Sequence, residues 1–529
     1  MPFDQLRSTL FASALLSTIQ GLDHRSRSRI ASQINSFDVC SQRDATHEIK
    51  RAALTVGIDL SAWECPSSRA LYNTVRTADQ WMEQGIVALS VQDLRAPLAQ
   101  IHDIGPLMFA WGNLKILDRP AAAILNSRKP RLPNPDDRWL LATKRVVRAA
   151  IDRGFAIVSG YGLLPYCIVS LLAKGSPTLV ACDEVLPFMQ SPQQLQRFLA
   201  QYGELFDLDK TLFFSPFPPG RMPQRAVRYA ERDHLVGALS SMILAVEIKE
   251  RGNMQSVLQV AIERGLPVEY ANDQCPGVED TTAGNINLTS RTGEALKTGP
   301  ADNGATFSRS QLESNISGKS DVYRQLCREP SYLIHYTRSC PGPWPGQSWA
   351  EYCRSLVEGV SEASHSAFDT LVRILRERRI RGSRRLIRGA ESVVCLTECV
   401  PRELQDLIEW RKGLVRWNFE PYGLAFGRKS LFDLGAKPVI YAVEEAFADL
   451  SPDLKHLFQC QNHSDKQWTF EKEWRIKGDL CLADFDPRDL VVIVVTHAEA
   501  AVIQEQFGYK VALAGIQMRK SGRSRQKVL

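Results

Sequence analysis

Long apolar runs, paired cysteines and clustered histidines are all scarce in this chain of 529 residues, and each scarcity excludes a class of protein. No run reaches the roughly 18 apolar residues that a membrane span needs. Leu10–Ile19 is apolar but short, with Asp4 before it and Gly21-Leu22-Asp23-His24 after it. It lacks the basic start and small-residue cleavage site of a signal peptide, so a buried amphipathic helix and a cytoplasmic protein are expected. The 12 cysteines include no Cys-x-x-Cys pair, and the closest two, Cys395 and Cys399, have no histidine pair at zinc-finger distance. A disulfide framework is not expected in a chain this long, so the thiols read as reduced core fillers. The 9 histidines contain no His-x-x-x-His, and no Gly-x-Ser-x-Gly elbow occurs. Neither a metal site nor serine-nucleophile chemistry therefore has a motif to stand on. Net charge is also small: 65 basic against 59 acidic residues leave +6. That total does not make a nucleic-acid binder, because local clustering decides such binding.

What is present divides the chain. Gly277–Asp321 is rich in Gly, Ser, Thr, Asn and Asp and has no helical or strand period. Such a stretch buries too little surface to offset its ordering entropy, so a flexible linker is placed at 273–328. Before it, residues 1–84 read as helical. Residues 85–272 alternate helices, such as Asp136–Arg153 and Met254–Arg264, with short apolar runs. Those runs are Ala121–Leu125, Ala156–Val158, Thr178–Ala181, Leu212–Phe214, Met242–Val246 and Pro267–Tyr270. Strands alternating with helices predict an α/β fold with a doubly wound parallel sheet. After the linker, residues 329–517 predict a separate mixed α+β domain. Its strands are Tyr332–Tyr336, Val393–Thr397, Gly423–Phe426, Pro438–Tyr441, Trp474–Lys477 and Leu490–Val495, with helices Ala367–Arg378 and Pro401–Trp410. The basic tail 518–529, with Arg519, Lys520, Arg523, Arg525 and Lys527, is expected to fray.

In the first half three loops follow predicted strands: Asn126-Ser127-Arg128-Lys129-Pro130, Ser159-Gly160-Tyr161-Gly162, and Glu247 to Gly252. Loops at the carboxyl ends of parallel strands form the ligand crevice, where glycines admit a phosphate and helix N-termini attract it. The stretches Pro106–Asn113, AAAILNSRKP, FAIVSGYGLLPYCIVSLLAKGSPTLVA and ERDHLVGALSSMILAVEIKERGNMQSVLQVAIERGLPV resemble, in order, the Smf/DprA family of DNA-processing proteins over residues 85–270. The resemblance implies a Rossmann-like domain that recognises nucleic acid or a nucleotide ligand and sometimes dimerises, making a homodimer through this domain an expectation. It places Ser127, Arg128, Ser159, Gly160, Arg232 and Glu247 at the ligand. Three departures stand out. Asn126 replaces the first loop's glycine, Glu231-Arg232-Asp233 replaces an Arg-Asn-Arg motif, and the Ser-Gly loop lacks its following basic residue. They remove positive charge where phosphates bind, which points to a recognition platform of the kind found in bacterial conflict systems more than to a DNA loader. The plainer reading stays open: Arg128 and Glu247 pair, and Gly160 only turns the chain.

In the second half, period-two alternation puts His335 and Thr337 on one strand face and Tyr336 on the other. Eight arginines crowd Leu371–Gly389. The opening His-Tyr-Thr strand, the Arg-x-Ser-Arg segment, the Leu-Thr-Glu strand and Glu471-Lys472-Glu473-Trp474-Arg475 resemble DarT-type ADP-ribosyltransferases over residues 331–500. The resemblance implies NAD as cofactor, His335, Tyr422 and Glu473 as catalytic residues, and Tyr336, Thr337, Arg384 and Arg388 as its binding set. A carboxylate would stabilise the cationic centre formed as nicotinamide leaves, and arginines would grip the pyrophosphate. Each has a structural alternative: His335 with Tyr336 as a core pair, Glu473 in a salt bridge with Arg475 or Arg388, Tyr422 shaping a turn, and the arginine run as a phosphate-facing or solvated helix.

Two functions are thus weighed. One is a bacterial defence-type sensor-effector whose first domain recognises a nucleic acid or nucleotide and whose second consumes NAD. The other is a non-catalytic DNA-processing accessory protein that binds single-stranded DNA. The enzyme reading requires His335, Tyr422 and Glu473 to converge on one cleft.

Overall fold

The computed structural model describes residues 3–90, 106–127, 129, 132–220, 222–271, 305–306, 322, 326–327, 331–360, 363–388, 391–408, 410–411, 416–461, 468–514 and 519–520. The chain forms two compact units. The first comprises Met1–Lys129, Pro133–Asn285 and Gly342–Ala363; the second comprises Pro130–Leu132, Ile286–Pro341 and Ser364–Leu529.

Four helices open the first unit: α1 (Phe3–Leu16), α2 (His24–Ser32), α3 (Gln42–Thr55) and α4 (Ser68–Glu83). The apolar stretch at the start of the chain lies within α1, which buries Ser8 through Leu16. Eight strands follow: β1 (Ile86–Ser90), β2 (Leu107–Gly112), β3 (Ala121–Asn126), β4 (Ala156–Gly160), β5 (Thr178–Ala181), β6 (Thr211–Ser215), β7 (Met242–Glu247) and β8 (Val268–Tyr270). They form one sheet in the order β1-β2-β6-β5-β4-β3-β7-β8. From β6 to β8 the neighbours are parallel, while β1 and β2 add an antiparallel edge. Strands β3 to β6 are buried along their whole length, as a sheet covered on both faces requires. The covering helices are α5 (Arg138–Asp152), α6 (Leu164–Leu172), α7 (Pro187–Gln190), α8 (Pro192–Tyr202), α9 (Arg225–Ala238) and α10 (Asn253–Glu263).

One element of this unit comes from far along the chain. Helix α11 (Trp349–Glu358) starts in a Ser348–Glu351 capping box and stops at the left-handed Gly359. It buries Ala350, Tyr352, Cys353 and Leu356 in the core that also holds Cys167 and Ile168 of α6 and Phe198 of α8. The sequence pattern assigned residues 342–363 to the second domain. The helix's apolar face packs instead in the first unit.

The second unit is built on a seven-stranded sheet. Its strands are β9 (Tyr332–Thr337), β10 (Val393–Thr397), β11 (Tyr422–Gly427), β12 (Lys437–Pro438), β13 (Glu473–Lys477), β14 (Leu490–Val494) and β15 (Lys510–Leu513), in the order β12-β13-β10-β9-β11-β14-β15. All neighbours are antiparallel except β14 and β15. Helices α12 (Ala367–Glu377) and α13 (His497–Phe507) accompany it. One face packs Leu333, Leu396, Leu424, Trp474 and Val492 against Leu371 and Leu375 of α12 and Ile503 of α13. The other face carries Ile334, Tyr336, Ala425 and Ile493.

Two expectations need correction here. The run Pro438–Tyr441 is not one strand: Lys437–Pro438 joins the main sheet, and Ile440–Ala442 pairs in parallel with Phe458–Cys460. The arginine run is not one helix, since α12 ends at Glu377 and Arg378 turns left-handed at φ 50°. The expected linker lies mostly outside the described residues, though Ala305–Thr306 pairs with Arg519–Lys520 of the basic tail.

Candidate functional site

In the first unit the chain runs β3, β4, β5, β6 in one direction across the sheet, then returns to place β7 and β8 on the other side of β3. The strand order therefore reverses between β3 and β7, and the crevice outside their carboxyl ends is where open α/β sheets bind ligands. Ser127 and Glu247 meet there. The Ser127 amide donates to the Glu247 carbonyl at 2.9 Å, and the Lys249 amide donates to Ser127 Oγ at 2.7 Å. Lys129 pairs with the exposed Glu247 carboxylate and lies 5.2 Å from the Trp139 ring centroid. Arg128 lies outside the described residues. Asn126, 3% exposed, donates from Nδ2 to Thr143 Oγ1 at 3.3 Å, while its Oδ1 has no hydrogen-bond partner among the described residues.

Ser159, Gly160 and Arg232 sit elsewhere, inside the protein. Ser159 Oγ donates to the Tyr166 carbonyl at 3.0 Å and accepts from Ser170 Oγ at 3.1 Å. Gly160 is closely packed: a Cβ there would stand 3.2 Å from the Ala181 carbonyl oxygen and 3.4 Å from Arg232 Cδ, so these neighbours would have to give. Arg232 is 0% exposed. It pairs with Asp233 at 2.8 Å, donates to the Tyr161 carbonyl at 3.2 Å, and stacks 4.9 Å from Tyr166 and 4.8 Å from Tyr229. Glu231 accepts from Arg25 and contacts His24, each at 3.2 Å. The Glu231-Arg232-Asp233 triplet is thus a buried network under the loops and not part of their charged surface. The resemblance placed Arg232 at the ligand, but a polar triplet on a helix does not reveal its packing partners, and here they bury it.

Sequence reasoning missed a cavity at the end of β5. It holds about 150 Å³ and is lined by Glu184, Pro187, Gln194, Arg197, Phe198, Gln201 and Tyr202. Burial, with the neighbouring Asp183 charge, holds the Glu184 carboxyl above its ordinary range. The signal available was the acidic pair Asp183-Glu184 directly after a buried strand.

In the second unit the residues expected to act together are dispersed. Side chains alternate along each strand. Tyr422 is packed against the α12 and α13 side of the sheet, and His335, two residues from Leu333, alternates onto that same side. Glu473, next to the inward Trp474 and opposite Thr397, falls on the other face. His335 Nδ1 donates to the Cys395 carbonyl at 2.8 Å. Burial of the ring, and less so the Arg338 charge, depress its pKa to about 4, so it is neutral at pH 7. The Tyr422 hydroxyl donates to Glu499 at 2.9 Å, inside the capping box of α13. Glu473 accepts a two-pronged pair from the buried Arg475 at 2.9 and 3.1 Å, and Arg475 also holds the His456 and Phe458 carbonyls.

The expected NAD-binding set does not converge either. Tyr336 is buried with its hydroxyl on the Cys399 carbonyl at 3.1 Å, and Thr337 is buried. Arg384 is exposed. Arg388 pairs with Glu444 and lies over Phe447. These residues do not come together on one surface. The reason is the pleat: which face each of the three strands β9, β11 and β13 turns inward is set by pairing across the sheet, not by the local sequence. Among the described residues no group of His, Cys, Asp or Glu could hold a metal ion, and no helix is long and apolar enough to cross a membrane.

Residues 86–299, most of them in the first unit, match the model of the family described as DNA recombination-mediator protein A. Two solved structures are similar. DNA processing protein A from Streptococcus pneumoniae shares 16% identity over 55% of this chain and 91% of its own, with a TM-score of 0.31. DNA processing protein A from Helicobacter pylori, described for its single-stranded DNA binding mode, shares 19% over 40% of this chain and 96% of its own, with a TM-score of 0.29. Among curated proteins none matches.

Proposed function

We propose, from the DprA-type segment at residues 86–299, that the first unit is a nucleic-acid recognition module that takes single-stranded DNA or a nucleotide at the β3/β7 crevice. The observation that carries this reading is the cluster at the strand-order reversal. There Ser127, Lys129, Glu247 and Lys249 come together from two loops 120 residues apart. The Lys249 amide and the Ser127 hydroxyl are hydrogen-bonding groups at the crevice, and Lys129, its side chain 9% exposed and paired with Glu247, would meet a phosphate only by exchanging that partner.

Fluorescence anisotropy of a labelled single-stranded oligonucleotide over a salt series tests the proposal. Binding that weakens steeply with salt, and that weakens further in Lys129→Ala and Lys249→Ala, supports it. No binding to single strands or nucleotides at low salt overturns it. NAD consumption by the second unit would be a separate effector activity; a wild-type protein that leaves NAD intact with and without single-stranded DNA removes it.

A further inference from the structure

We infer that the cavity at the end of β5 is a base pocket that takes guanine, with Glu184 reading its Watson–Crick edge. This rests on the reading of the first unit as a nucleic-acid or nucleotide module and names the chemistry of its ligand.

Glu184 is the central group. Its carboxylate has only loose partners: the Tyr161 hydroxyl donates at 3.5 Å, and Arg228 approaches at 3.8 Å. A carboxylate held this weakly retains strong acceptor capacity on both oxygens. With Asp183 beside it, it repels phosphate, so the cavity suits the uncharged part of a nucleotide. Guanine alone among the common bases presents two adjacent donors, N1–H and N2–H, which match the two oxygens of one carboxylate. Adenine would turn its N1 lone pair toward the same group. Arg197, exposed, belongs to the same lining and makes no ion pair among the described residues. It matches the O6 and N7 acceptors of guanine bidentately. Gln194 and Gln201 add groups that donate and accept.

The wall is aromatic and held in place. Phe198 and Tyr202 lie 5.7 Å apart, and Tyr202 is backed by Trp349 of α11 at 6.2 Å with a 16° interplanar angle. A ring fixed from behind stacks a base without losing its own freedom. The location also fits. Parallel strands lie about 4.8 Å apart, so the end of β5 is roughly 10 Å from β3 and roughly 14 Å from β7 along the same edge. A short strand spans the distance from this cavity to Lys129 and Lys249.

The test uses the full-length protein and three labelled oligonucleotides: all-thymine, and the same with one central guanine or one central adenine. Guanosine monophosphate serves as a second probe in a thermal-shift assay. The expected result is about tenfold tighter binding of the guanine strand than of the other two. Glu184→Gln and Arg197→Ala should erase that preference while keeping affinity for the all-thymine strand. Equal binding of all three strands by wild type, or a preference that survives Glu184→Gln, overturns the base pocket and leaves the crevice proposal standing. No binding of any strand or of guanosine monophosphate overturns both.

Discussion

Trp349 stacks on Tyr202 with ring centroids 6.2 Å apart and planes within 16° of parallel. The contact joins α11, which lies in the Gly342–Ala363 segment of the first unit, to the last residue of α8. It does not stand alone. Lys144 Nζ of α5 donates to the Val357 carbonyl at 2.7 Å near the C-terminal end of α11, and Arg354 pairs with Glu204 at 3.3 Å. Cys353 and Cys167 are both fully buried, and burial together with their mutual contact pushes the Cys353 thiol well above its ordinary range.

Helix α11 is therefore expected to stabilise a domain whose family match ends before it. Trp349→Ala should cost the first unit about 2–4 kcal/mol, somewhat below a fully buried aromatic because the ring is half-buried. Hydrogen exchange locates the effect: protection should fall in α6 and α8. A loss of protection confined to the second unit would contradict this placement of the helix.

Arg232 and Asp233 form a buried pair, so removing one partner should hurt more than removing both. Arg232→Met leaves an uncompensated carboxylate and is expected to cost about 3–5 kcal/mol in urea unfolding. The double variant Arg232→Met, Asp233→Leu should recover much of that loss. A near-neutral single change would place the triplet at the surface.

Glu473 and Arg475 pose the same question in the second unit. Arg475→Ala would break the fork to Glu473 and release the His456 and Phe458 carbonyls. A loss on the order of 3–5 kcal/mol is expected, measured as earlier unfolding of the second unit. Glu473→Gln keeps one hydrogen bond and should cost less. Equal stability of wild type and Arg475→Ala would show that the pair does not organise this sheet.

His335 gives the second unit a pH dependence. Its folded pKa, near 4, lies below its ordinary value of 6.5, so the unfolded chain binds the extra proton between those values. Stability from this group is complete above pH 6.5 and declines as pH falls toward 4. Calorimetry at pH 7.5 and pH 5 should find a smaller drop for His335→Gln than for wild type. Identical drops would mean the ring is solvated enough to titrate normally.

Much of this molecule was legible in sequence. Runs such as AAAIL and TLVA are apolar on both sides of the chain, which only a strand covered on two faces tolerates, so the parallel sheet follows from composition and spacing. The loops at Ser127 and Glu247 follow too, because a carboxyl end is defined by chain direction. The tertiary structure decided everything that depends on a partner. Nothing local in α11 says that Cys167 lies under its Cys353. Alternation separates His335 from Tyr336 within one strand. It cannot compare His335 with Glu473 on another, because facing is set by hydrogen-bond register across the sheet. Side-chain chemistry and local period belong to the sequence, whereas burial and facing arise only when distant segments share one core.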